Sequence, residues 1–235
     1  MVTPTDARQA GGAPRRLRRA FFDRPTLDVA ADLIGKVLVH AAPDGLSAGV
    51  IVEVEAYVGE SDPACHAAPG PTARNAPLYG PPGIAYVYLN YGLHYLTNAV
   101  TEAEGAPAAV LLRALEPIEG LEAMARRRGR PMPAHHLCRG PGNLSRAMGV
   151  SGAHNRIDLE GDRLWIEDRG IPTGERRWGP RIGIRVGVDR PWRCWVAGHP
   201  AVSGARRLND RGLSAPGAGP RSDRSRSRHR RTPVR

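Results

Sequence analysis

IVEVEAYVGESDPACH, residues 51–66, alternates two kinds of side chain along one extended run. A strand points successive side chains to opposite faces. Val52, Val54, Ala56 and Val58 therefore share one face, and Glu53, Glu55 and Tyr57 share the other. The valine face needs a hydrophobic layer against it. The opposite face carries two carboxylates and a tyrosine, with His66 close behind, and it reads either as a solvent-facing edge or as a reaction surface.

Working outward, VLVH (37–40) pairs with GVIVEVEAYV (49–58) around the turn PDG. PTLDVAADLIGK (25–36) reads as a short helix with Leu27, Ala30, Ala31 and Ile34 on one face and Gly35 at its end. Residues 59–84 form a long Pro/Gly-rich loop, and loops of that length inside a domain are usually functional. AYVYLNYGLHYLTNAV (85–100) gives two strands around Asn90-Tyr91-Gly92, and AAVLLRAL (108–115) another. EPIEGLEAMARRRG (116–129) is expected to be helical throughout, with acids in its first turn, arginines in its last and glycine beyond. RGPGNLSRAMGV (139–150) places glycines at the mouth of a short helix, and RLWIED, RIGIRVGV and RCWVAG are expected as the final strands. The fold class is mixed α/β (α+β): a single compact domain with a largely antiparallel sheet, a few helices and a protruding β-hairpin.

The formal charge of +11 is concentrated at the ends of the chain. Residues 1–20 hold five arginines against Asp6, and residues 205–235 hold ten against Asp210 and Asp223. The segment between them is close to neutral. Residues 1–19 are therefore expected to be a disordered basic arm, 20–205 the folded domain and 206–235 a disordered Arg/Ser-rich tail. Such polycationic arms attract an anionic polymer by releasing counterions, or merely confer solubility.

No apolar run is long enough to span a bilayer. RRLRRAFFDRP lacks the apolar segment a signal peptide needs. The expectation is a cytoplasmic, nucleoid-associated bacterial protein with no membrane partner. Cys65, Cys138 and Cys194 are odd in number and without a CxxC pair, which argues against a disulfide framework or a metal site. Cys65 beside His66 is read as a small buried filler.

Tyr91 sits where a turn tip favours Asn, Gly, Asp or Ser. An aromatic held out on a stiff hairpin suits insertion between stacked bases, where stacking contributes ~1–3 kcal/mol per base; the plainer reading folds it back onto the domain. Gly140, Gly142 and Asn143 of RGPGNL could offer backbone amides to a phosphate, or simply start a helix. Glu53 lies roughly 7 Å from Glu55 by strand geometry. It either raises the pKa of Glu55 by repulsion or pairs with an arginine and orients the site.

Six blocks now stand in order: EVEAYVGESDPACH, RNAPLYGPPGIAYVYLNYGLHYLTN, AAVLLRALEPIEGLE, CRGPGNL, PRIGIRVG and PWRCWVAGHPAVS. Together they resemble the alkyladenine (3-methyladenine) DNA glycosylase family, from about Phe21 to Ser203. The loop HAAPGPTARN lacks some of the charged residues common there, and CWV replaces bulkier aromatics.

The resemblance implies hydrolysis of the N-glycosylic bond of alkylated or deaminated purines, with double-stranded DNA as partner and no cofactor or metal. It makes Glu55 the catalytic carboxylate and Tyr57 and Tyr88 the walls around a flipped base. His66 becomes the pocket histidine, Asn98 the residue disfavouring an exocyclic amino group at purine position 2, Arg113 the arginine behind the site, and Tyr91 the wedge.

Residue chemistry adds its own support. A base inside a duplex hides its glycosylic bond and must be extruded. One carboxylate can stabilise the cationic sugar and take a proton from water. Lys36 is the sole lysine and is not expected in the pocket, so no Schiff base forms and the enzyme is expected to be monofunctional. The protein is expected to be a monomer. The competing readings are a non-catalytic nucleic-acid-binding module and a sugar hydrolase using Glu53 and Glu55 as an acid–base pair.

Overall fold

Gly45–Val58 (β3) is the longest strand of the computed structural model, which describes residues 13–210, 212 and 213. β3 pairs antiparallel with Val37–Ala42 (β2) over residues 45–50, then exchanges that neighbour for Arg193–Val196 (β9) at Glu53–Glu55. On its other edge it runs the length of Ala108–Glu119 (β6). The sheet continues through His94–Val100 (β5) to Ala85–Asn90 (β4) on one side. On the other it continues through Leu164–Asp168 (β7) to Arg15–Arg16 (β1), and Arg176–Gly179 (β8) pairs with β9.

The alternation in residues 51–58 separates the two faces. Val52, Val54 and Ala56 join Val110 and Leu112 of β6 in the main core. That face is covered by Thr26–Leu33 (α2) and by Leu121–Arg128 (α3), Ala134–Leu137 (α4) and Pro141–Met148 (α5). Leu33, Leu144 and Met148 are fully buried there, each worth roughly 1.5–3 kcal/mol of transfer free energy. The largely antiparallel sheet with a few helices is the architecture the sequence pattern calls for.

Four local expectations are corrected. EPIE (116–119) extends β6 instead of starting a helix. The helix begins only at Leu121, because Gly120 turns the chain at φ +73°, where an added Cβ would lie 2.2 Å from the Leu46 carbonyl oxygen. RIGIRVGV (181–188) is not a strand: Gly183 and Gly187 take positive φ and Arg181 is drawn into a buried ion pair. Arg176–Gly179 is a strand the sequence reading did not anticipate.

The fourth concerns the termini, whose greater part lies outside the described residues. Arg15–Arg16 pairs with β7 and Leu17 is buried, so the folded chain starts before residue 20; Arg19–Phe22 (α1) follows. It also extends past residue 205, through Arg206–Asn209 (α6) and the Leu213–Trp178 bridge.

A buried histidine pair ties β2 to the segment behind β4. The Ser151 amide donates to His154 Nδ1 (3.1 Å), and the Nε2 atoms of His154 and His40 lie 3.0 Å apart. His154 Nε2–H therefore donates to His40, whose Nδ1–H donates to the Met148 carbonyl (2.7 Å). This chain needs both rings neutral. Burial lowers both pKa values, Arg127 and Arg163 also oppose a positive charge, and Asp44 acts weakly the other way. A histidine pKa lowered by folding contributes stability above its ordinary value of 6.5, lost as pH falls below it. The urea midpoint should thus drop from about pH 7.5 to about pH 5.5, and a His40→Leu/His154→Leu variant should show a smaller drop.

Candidate active site

The site is built from the polar face of β3. Glu53 is fully buried and saturated: its Oε1 accepts from Arg193 Nε (2.6 Å), Ser203 Oγ (2.9 Å) and Arg113 Nε (3.0 Å), and its Oε2 from the Ser203 amide (2.6 Å). Burial pushes its pKa up, but the charges of Arg113 and Arg193 and the Ser203 amide outweigh it and hold the carboxyl below its usual range. Of the two sequence readings for Glu53, pairing with arginine is the one observed.

The β3–β6 register shifts on both sides of Glu53, leaving Arg113 without an opposite residue. Bulges re-aim side chains beside active sites. Here the displaced Arg113 reaches both carboxylates, with Nη1 3.2 Å from Glu55 Oε1. Burial lowers its pKa, yet Glu55 and Glu53 reverse the shift and hold it above the ordinary value.

Glu55 is also fully buried. Its Oε1 accepts the Ile182 amide (2.6 Å) and its Oε2 accepts the Tyr57 hydroxyl (2.9 Å). Tyr57, Arg113 and Ile182 all line a cavity of about 400 Å³, within the usual range for small-molecule sites. Glu55 itself is not among the lining residues; it sits directly behind these three.

Of the other sequence candidates, His66, Tyr88, Asn98 and Tyr91 line the same cavity. His66 Nδ1 lies 2.9 Å from the Tyr86 hydroxyl, and its ring is 4.4 Å from that of Tyr88. Burial, then the charge of Arg74, lowers its pKa, so the ring is neutral at pH 7. Burial raises the pKa of the Tyr86 phenol to about 12 and raises those of Tyr57 and Tyr88 as well. Asn98 Nδ2 donates to the Tyr86 carbonyl across the β4–β5 pair (2.9 Å), which fixes the amide at the cavity wall.

Tyr91 is 88% exposed, so it is not folded back onto the domain. Tyr91 (φ +49°) and Gly92 (φ +69°) are the central residues of a turn closed by the Leu93 amide donating to the Asn90 carbonyl (3.0 Å). Two successive positive φ values match the twist of a tight hairpin, but they are unusual for a tyrosine. Local strain of this kind clusters at functional sites.

Gly140, Gly142 and Asn143 lie at the start of α5, where Pro141 lines the cavity. Gly142 has a packing role, since a Cβ there would meet the His94 side chain at 2.8 Å. Asn143 Nδ2 donates to the Arg139 carbonyl (2.8 Å). Cys65 is buried at the cavity wall with its pKa raised by burial to about 11, as a filler rather than a nucleophile. Among the described residues no group of three His, Cys, Asp or Glu side chains is arranged to hold a metal ion, and no helix is long and apolar enough to cross a membrane.

Sequence reasoning missed Arg193, Ser203, Tyr86, Asp62, Arg181 and the Ile182 amide. Ile182 and Arg181 lie in PRIGIRVG and Ser203 ends PWRCWVAGHPAVS, so the blocks were visible while their contacts with β3 were not.

Comparisons with known proteins identify the family of the chain. A model of the methylpurine-DNA glycosylase (MPG) family matches residues 20–200. The chain is 50% identical over 191 residues to a Burkholderia lata protein named "Putative 3-methyladenine DNA glycosylase", spanning 80% of this chain and 91% of that one. Relatives of the same name from Chlorobaculum tepidum (46% identical over 191 residues, 80% and 91% covered) and Methanocella arvoryzae (49% over 191 residues, 80% and 95%) align similarly. The chain belongs to the methylpurine-DNA glycosylase family.

The charge cluster makes a stability prediction. Glu53→Ala leaves Arg113 and Arg193 buried without their shared carboxylate. Removing one partner of a buried ion pair costs about 3–5 kcal/mol, and urea denaturation should show a loss of that size.

Proposed function

We infer that this member of the methylpurine-DNA glycosylase family extrudes a damaged purine nucleotide from duplex DNA and hydrolyses its N-glycosylic bond with Glu55, leaving an intact abasic site. The observation that carries this reading is the position of Glu55: a carboxylate directly behind an aromatic cavity, linked to it through the Tyr57 hydroxyl. Arg113 and the Ile182 amide hold Oε1, while Oε2 has a neutral hydroxyl partner that can exchange.

In this mechanism the flipped base lies between Tyr57 and Tyr88, with Asn98 and His66 at its edges. Tyr91 fills the gap it leaves. Aromatic stacking of ~1–3 kcal/mol per base offsets much of the cost of extrusion. The C1′–N bond breaks with its electron pair leaving on the base, and the cationic sugar faces Glu55. Water then adds to C1′ and gives a proton to the carboxylate. A base made cationic by alkylation departs without a proton donor.

Glu53 does not compete for this role, because arginines and Ser203 already occupy it. That weighs against an acid–base pair of the sugar-hydrolase kind. Lys36 Nζ is engaged with Asp168 (2.8 Å), which supports a monofunctional reaction without a Schiff base.

Glu55→Gln should lower release of 3-methyladenine or 7-methylguanine from duplex DNA by about 10²–10⁴-fold and keep lesion binding. A parent protein that binds DNA but releases no base would instead be a non-catalytic binding module. Borohydride reduction on damaged DNA should trap no covalent adduct, whereas an adduct would reveal an amine nucleophile. Tyr91→Ala should weaken binding to lesion-containing duplex and leave folding unchanged, since the side chain is exposed.

A further inference from the structure

Against the Tyr57 ring, and outside the residues that line the cavity, lies a second buried ion pair that the proposed mechanism does not use. The side chains of Asp62 and Arg181 are both fully buried. They meet in a two-pronged contact, Arg181 Nη1 to Asp62 Oδ2 at 2.5 Å and Nη2 to Oδ1 at 2.8 Å. Nη1 also donates to the Ala56 carbonyl (3.0 Å), between Glu55 and Tyr57 on β3. The guanidinium lies over two rings, its Cζ 4.6 Å from the centroid of Tyr57 and 5.2 Å from that of Trp192. Among the described residues its Nε has no hydrogen-bond partner.

The surroundings are built to keep this pair in place. The Asp62 carboxylate also accepts from the Ala64 amide (3.2 Å) and faces Arg190 (3.6 Å). Gly187 approaches so closely that a Cβ there would lie 3.1 Å from Arg181 Nη2 and 3.4 Å from Asp62 Oδ1. The Ala56 amide donates to the Trp192 carbonyl (2.8 Å). Both backbone groups of Ala56 thus bind the two ends of segment 181–192, whose Ile182 amide rests on Glu55.

A buried ion pair seldom adds net stability over apolar residues of the same size, so its use here is better sought in geometry and charge. Only a planar guanidinium can grip a carboxylate, bond a strand carbonyl and lie flat on a ring together. We propose that Arg181, clamped by Asp62, is a positioning residue that sets the Ile182 amide on Glu55 and fixes the Tyr57 ring. We propose further that Asp62 cancels the guanidinium charge so that a cationic base can stack on the opposite face of that ring. This rests on the glycosylase reading and goes beyond it by assigning a determinant of the preference between cationic and neutral bases.

The test compares single-turnover release of 7-methylguanine, cationic in its nucleotide, with release of hypoxanthine, which is neutral. Asp62→Asn keeps the shape but leaves the charge of Arg181 uncompensated. It should slow 7-methylguanine release on the order of tenfold more than hypoxanthine release, the scale for unit charges about 8 Å apart at an effective dielectric of about 20. Arg181→Lys, which keeps charge but not planarity, should lose rate on both bases while half-saturating DNA concentration changes little.

An Asp62→Leu/Arg181→Met variant covers failure of the single variants to fold. It should slow both bases and leave their ratio at the parent value. Equal slowing of both bases by Asp62→Asn overturns the charge role; parent rates in Arg181→Lys or in the double variant overturn the positioning role. A parent inactive on both bases overturns the glycosylase reading instead.

Discussion

The structure depends on holding two carboxylates inside a protein two residues apart on one strand. An unpaired buried carboxylate would protonate or unfold its surroundings, so the face of β3 that carries Glu53 and Glu55 exists only because arginines come to it from elsewhere. Arg113 arrives from β6 through a shifted register, and Arg193 arrives because β9 replaces β2 as the neighbour of β3. Ser203 then closes the cluster over Glu53. Strand order, bulge and the segment at Ser203 all serve the same ionic balance.

That balance treats the two acids differently. Glu53 has four donors and no freedom, which makes it an anchor for Arg113 and for the segment ending at Ser203. Among the described residues, Glu55 has its firm partners on Oε1 and only a tyrosine hydroxyl on Oε2. Glu53 orients the arginine that in turn orients Glu55. A site assembled this way keeps its geometry before substrate arrives, and such preorganisation is where most electrostatic catalysis originates.

Much of this was legible in the sequence, and what was not has a physical reason. Period-two alternation placed Glu53, Glu55 and Tyr57 on one face, because strand geometry is local. The Asn-Tyr-Gly tip gave the hairpin and its odd aromatic for the same reason. EPIE misled because acids before a helical stretch suit a helix N-terminus and a strand edge equally, and only the approach of Gly120 to Leu46 decides between them. RIGIRVGV misled because its alternation imitates a strand, while its conformation is set by Asp62, 119 residues earlier in the chain. Long-range ion pairs leave no periodic trace.

Segment 181–192 also explains why the Glu55 face of β3 is not simply an open strand. Without a cover, Glu55 would face bulk water, where a high dielectric weakens every charge interaction. Covering it with an ordinary strand would pair the backbone but bring no amide to the carboxylate. An irregular segment pinned at Ala56 by the Arg181 side chain and the Trp192 carbonyl excludes solvent and still spends its Ile182 amide on Glu55. Irregularity of the backbone at this point is therefore the condition for keeping Glu55 shielded from bulk solvent, oriented and within one hydroxyl of the cavity.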